Sequence, residues 1–222
     1  MWPNGSYIRI LLHGGTPDQR ALVHQYAVWW TAQPNITFAF VDSGPSEVRV
    51  TFDANGGSWS VIGTVCLHRA QHEPTMNLVI SPSSIDQARA TILHEFGHVL
   101  GAIHEHQSPL AQVPWNRPVV YAHHNPRGLS NAWVDLNILN QPFPTHEIDA
   151  DADPVSIMVY AYPPTFTLDG SWVPWAPTLS ARDFERIAIM YSRSQYVVSS
   201  FMTNQTISSP MEWHSITFGI SP

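Results

Sequence analysis

The chain of 222 residues contains no lysine; all ten of its basic residues are arginine. Acidic residues outnumber them, giving a formal charge of -7, and only 12% of residues are charged. No basic face is available to neutralise phosphates, which argues against nucleic acid or a membrane surface as partner. One cysteine, Cys66, excludes an internal disulfide, and a buried small hydrophobe is its default role. No apolar run approaches the roughly 18 residues a membrane span needs. The opening MWPNGSYIRILLHGG lacks the basic start and long apolar stretch of a leader, and its YIRILL alternates like a strand. There are no internal repeats and no low-complexity tract. Three Asn-x-Ser/Thr sequons, at Asn4, Asn35 and Asn204, are close to what chance supplies in a chain of this length.

Hydrophobic residues make up 44% of the chain, enough for a real core. Residues 6–12 read as a strand that stops at His13-Gly14-Gly15. Thr16 or Asp18 then caps a helix over 18–33, with Pro17 in its first turn and Pro34 ending it. Residues 36–42 and 46–53 read as strands separated by a turn at Gly44-Pro45, 55–64 as a glycine-rich loop, and 75–80 as a short strand. A second helix opens at Ser83 or Ser84 and closes at Gly101. Its expected apolar face is Ile85, Ala88, Ile92, Phe96, Val99 and Leu100. After residue 105, prolines, asparagines and tryptophans dominate with little periodicity, until a helix capped by Ser180 covers 180–192.

The chemistry concentrates in HEFGHVLGAIHEH, residues 94–106. His94 and His98 lie four apart on a helix. Their side chains leave one face with Cβ atoms roughly 6 Å apart, which lets two nitrogens converge on one metal. Glu95 leaves the helix about 100° further round, able to reach a metal's water without ligating the metal. Gly101 can take positive φ, end the helix and reverse the chain, so that His104 returns as a third ligand. Three neutral imidazoles leave a fourth position open, the mark of a catalytic zinc site.

HExxHxxGxxH, here His94 to His104, is the signature of the metzincin clan of zinc endopeptidases, and the chain resembles that clan. SIMVY (156–160) resembles its methionine turn. Glu105 after the third histidine, and Tyr160 two residues after Met158, resemble the astacin family most closely. LSARDFERIAIMY resembles that family's C-terminal helix, and PTMNL the strand bordering the substrate cleft. There are departures: Val159 stands where the family usually has histidine, and one cysteine cannot form the family's paired disulfides. The chain therefore looks like an astacin-like microbial relative.

The resemblance implies an α+β metzincin-like fold. A twisted mixed sheet and the active-site helix would form an N-terminal lobe, and an irregular C-terminal lobe would end in a helix. It implies one catalytic domain over 1–192, with lobes 1–104 and 105–192, and an extension of unknown role at 193–222. The implied activity is a secreted, monomeric zinc endopeptidase acting on protein or peptide substrates. His94, His98 and His104 would hold Zn2+ and Glu95 would be the general base. Tyr160 would stabilise the oxyanion, with the option of binding the metal at rest. Met158 would form a floor beneath the imidazoles, Gly101 the reversal, and Glu105 a hydrogen-bonding support. The stretch 75–80 would offer an unpaired edge to an extended substrate.

The alternative is a pseudoprotease that binds peptide or zinc without turnover; a third reading is an effector protease with one narrow substrate. His106 reads as a surface or supporting residue, and His68, His72, His123, His124 and His146 as structural or solvated. The carboxylates at 149–154 read as a solvated loop sooner than a calcium site. Trp115, Trp133, Trp172 and Trp175 read as core of the irregular lobe, or as cleft walls. The arginine-free stretch 161–177 favours an apolar preference after the scissile bond.

Overall fold

The computed structural model describes residues 1–108, 110–140 and 152–192. The chain divides into two compact units, Met1–Ala102 with Phe184–Pro222, and Ile103–Asp183. Expectations for His146, for Asp149 and Asp151, and for the extension at 193–222 fall outside the described residues.

The first unit is built on a five-stranded mixed sheet in the order β2-β1-β3-β5-β4. β1 (Tyr7–Leu12) buries Ile8, Ile10 and Leu12 on one face and turns Tyr7 and Arg9 outward, as its alternation predicts. α1 (Pro17–Ala27) is the crossover that makes β2 (Thr37–Val41) parallel to β1. Its start is a capping box at Thr16, one of the two caps the sequence offered. The Gln19 backbone N–H donates to the Thr16 hydroxyl, and the Gln19 side chain accepts from the Thr16 N–H. The helix is shorter than expected, tightening to a 3-10 turn over Val28–Thr31.

β3 (Val48–Thr51) pairs with the other side of β1, also parallel, so the two strands around Gly44-Pro45 flank β1 and do not form a hairpin. β5 (Met76–Asn77) and β4 (Trp59–Ser60) complete the sheet. β5 is parallel to β3 and antiparallel to β4, so it is paired on both sides. This corrects the expectation that 75–80 is the open edge. That edge belongs to β4, inside the stretch read as a glycine-rich loop.

α2 (Ile85–Val99) fills the core side with Ala88, Ile92, Leu93, Phe96 and Val99. Phe96 meets Phe38 of β2 with ring centres 5.3 Å apart. Ile85, expected on the apolar face, is instead exposed at the first turn. Cys66 is buried, and burial pushes its thiol up to about 12. It therefore stays protonated and is no thiolate ligand or nucleophile at neutral pH.

The second unit contains α3 (Arg117–His124), α4 (Asn131–Val134) and a π-helical turn at Asp135–Leu139, none of which the sequence pattern announced. α5 (Ala181–Met190) starts here. The Asp183 N–H donates to the Ser180 hydroxyl, and the Ser180 N–H donates to the Asp183 carboxylate. Trp172 and Trp175 are exposed, which corrects their assignment to the core.

His124 is fully buried beside His123 and Phe166. Burial, then the charges of His123 and Arg127, push it down to about 4. A neutral imidazole favoured by folding stabilises the fold above the unfolded value near 6.5; that contribution drains away as pH falls towards 4. The melting temperature should therefore drop across that window, and less steeply in a His124→Gln variant. An equal drop in the variant would remove His124 as the cause.

Candidate metal centre

α2 presents His94, Glu95 and His98. Glu95 and His98 are buried, and the His94 and His98 rings meet edge-on with centres 4.9 Å apart. The end of this helix is closely specified. The Gly101 N–H donates to His98 O at 2.9 Å and the Ala102 N–H to Gly97 O at 3.1 Å, the two bonds of a Schellman cap. Gly101 sits at φ +96°, where a side chain would be strained. Three aromatic donors satisfy carbonyls of the same helix. Trp30 Nε1 donates to Leu93 O (2.8 Å), Trp2 Nε1 to Val99 O (2.6 Å), and the Tyr191 hydroxyl to Leu100 O (2.6 Å).

The cap decides the chemistry of His98. Its Nδ1 lies 2.8 Å from the carbonyl oxygen of Ala102, so the proton sits on Nδ1 and the lone pair on Nε2. Burial, with the neighbouring His94 adding to it, pushes His98 down to about 3; the Ala102 carbonyl opposes this. Burial thus favours the neutral ring, the form a metal ligand must take.

In the second unit, His104 precedes a 3-10 turn, Glu105–Gln107. Gln107 Nε2 donates to Leu136 O and Asn140 O, which turns Gln107 Oε1 towards His104 Nδ1 at 3.2 Å. His104 therefore also carries its proton on Nδ1 and keeps Nε2 for a metal. Sequence reading missed Gln107. The available signal was a side-chain amide three residues after a candidate ligand, the spacing that eclipses on a 3-10 turn.

Met158 and Tyr160 lie together in this unit, both buried, on a turn pinned by one carboxylate. Asp183 accepts from the Ser156 hydroxyl (2.6 Å) and from the Ile157 N–H (2.9 Å). Burial pushes this carboxyl up, and the hydrogen bonds pull it back. Glu105 joins the same turn twice. Its N–H donates to Met158 O, and its carboxylate accepts from the Asp153 N–H at 2.7 Å. Asp153 in turn accepts from the Ser180 hydroxyl, so it serves a hydrogen-bond network. The Tyr160 ring lies 4.2 Å from that of His104, centre to centre.

Among the described residues, His94, His98 and His104 form a triad that could bind a metal ion. The donor set fits zinc: three imidazoles, with Nε2 as the donor atom at His98 and His104.

The sequence pattern of the astacin peptidase family matches residues 1–111. No curated protein sequence matches the chain. Among solved structures, one of myroilysin is 41% identical with a TM-score of 0.80, covering 87% of this chain and 96% of that one. A second structure of myroilysin is 42% identical with a TM-score of 0.68, covering 86% of each chain. High choriolytic enzyme 1, a hatching enzyme zinc-protease from the medaka fish Oryzias latipes, is 18% identical with a TM-score of 0.57. It covers 83% of this chain and 88% of that one, a likeness of fold. The chain belongs to the astacin family and is a zinc metalloendopeptidase with an α+β fold, acting on protein or peptide substrates.

Proposed function

We propose that His94, His98 and His104 hold the zinc ion and that Glu95 is the general base of peptide hydrolysis. The observation that carries this reading is the buried Glu95 beside the His94–His98 pair, on a helix closed by a left-handed Gly101. Bound zinc would supply Lewis-acid polarisation and lower the pKa of a water to about 7. Glu95 takes the proton of the attacking water and hands it to the departing amine. The Tyr160 hydroxyl donates a hydrogen bond to the oxygen that gains charge. Met158 is buried and takes no part as a ligand, and Glu105 ties the chain after His104 to the turn that carries Met158.

β4, the edge strand, takes an extended peptide through backbone hydrogen bonds, which align a substrate with little sequence preference. The arginine-free stretch 161–177, with Leu168, Trp172 and Trp175 exposed, supports an apolar preference after the scissile bond. Residues 1–192 act as one catalytic domain, a monomer in the extracellular space. No helix among the described residues is long and apolar enough to cross a membrane.

Casein cleavage with and without a zinc chelator tests the reading against a binding-only protein. Cleavage should stop with chelator and return with zinc; chelator-resistant cleavage would refute it. Tyr160→Phe should lower kcat by about ten-fold to a hundred-fold, the scale of one oxyanion donor at the low end, with little change in folding. An unchanged kcat would remove the tyrosine from the chemistry.

A further inference from the structure

His106 has no part in a three-ligand zinc site, yet it is only 3% exposed. Its ring lies near-parallel to two others: His104, at 5.3 Å and 15°, and Tyr160, at 4.8 Å and 29°. Trp115 meets it edge-on, with centres 6.0 Å apart at 90°. The backbone N–H of Tyr160 donates to His106 Nδ1 at 3.3 Å. One step earlier, the Glu105 N–H donates to Met158 O at 3.0 Å. Residues 104–106 are thus laced along 158–160 as in a strand pair. At the second rung an imidazole nitrogen stands where a backbone carbonyl would normally accept.

This substitution has a consequence that a carbonyl could not produce. The group that fixes the Tyr160 backbone is a flat ring, and the same ring stacks on the Tyr160 side chain and on His104. One residue therefore sets both the backbone position of the tyrosine and the spacing of its phenol from a proposed zinc ligand. We propose that His106 is a positioning residue for Tyr160, holding the phenol in the orientation from which its hydroxyl reaches the developing oxyanion. This rests on the role proposed above for Tyr160. Two features of the side chain are needed, an acceptor at Nδ1 and a planar face. Asparagine keeps an acceptor near that position without the ring, and phenylalanine keeps the ring without the acceptor.

The test is a double-mutant cycle on the zinc-loaded enzyme, with kcat and KM measured on a fluorogenic peptide and zinc content on the same samples. His106→Phe should lower kcat by about five-fold to ten-fold, with KM within about two-fold and zinc still one per chain, as expected for a contact that matters in the transition state. His106→Asn should recover part of that loss. In a Tyr160→Phe background, His106→Phe should cost less than about two-fold, because the hydroxyl it positions is already gone. Effects that multiply in the double variant would overturn the inference, as would an unchanged kcat in His106→Phe where Tyr160→Phe is slow. If Tyr160→Phe itself leaves kcat unchanged, the tyrosine's role fails first and this inference falls with it. Should His106→Phe not fold, His106→Leu, which fills much of the space without an acceptor, carries the same cycle.

Discussion

Glu95→Gln should abolish proteolysis while leaving zinc in place. The substitution keeps the size of the side chain and its capacity to accept a hydrogen bond, and removes only its capacity to take a proton. General-base catalysis is worth about a hundred-fold to ten-thousand-fold, so kcat should fall by at least that much. Zinc content should stay at one per chain, because the carboxylate is not among the three proposed ligands. Glu95 is buried on the same helix as His94 and His98, and its neighbours are fixed by the helix and its cap, so the variant should fold normally. Peptide cleavage and metal analysis on one sample read both quantities. Persistent cleavage would exclude Glu95 as the base; loss of zinc would place it among the ligands.

His98→Ala should remove both metal and activity. His98 is held by its Nδ1–H on the Ala102 carbonyl, inside a cap that is itself fixed by the Schellman bonds. Alanine removes one of three proposed ligands and leaves the Ala102 carbonyl without that donor. The second effect should destabilise the fold by about 1–3 kcal/mol, even without metal. Zinc retention after passage through chelator should fall to background, and casein cleavage with it. Because the apo protein loses stability too, the thermal melts of apo wild type and apo variant should differ. A variant that held zinc as tightly as the parent would mean that His98 is not a ligand.

The metal motif was legible in the sequence because helix geometry leaves few choices. Residues four apart share a face, and a glycine three beyond His98 has one obvious use, confirmed by its φ of +96°. The alternating β1 was legible for the same reason, and the cap of α1 was narrowed to Thr16 or Asp18, each being a local pattern with a local cause. What failed depends on partners distant in sequence. Whether Met76–Asn77 is an edge is decided by β4, and a two-residue strand has no period to read. α3 buries only Val120 and His124, and a histidine that the sequence left open between structural and solvated makes up half of that face. Trp2 and Tyr191 reach the end of α2 from nearly opposite ends of the chain, so no spacing could announce them. Gln107 and His106 were within reach. Both follow a proposed ligand closely, and such a ligand needs something to fix its tautomer and the groups around it.

X-ray absorption at the zinc K-edge of the loaded protein bears most directly on the claim that three histidines hold the catalytic ion. The expected spectrum is a first shell of nitrogen and oxygen only, at about 2.0–2.1 Å, with outer-shell scattering from three imidazoles. A shell containing sulfur, or scattering from fewer than three imidazoles, would contradict it.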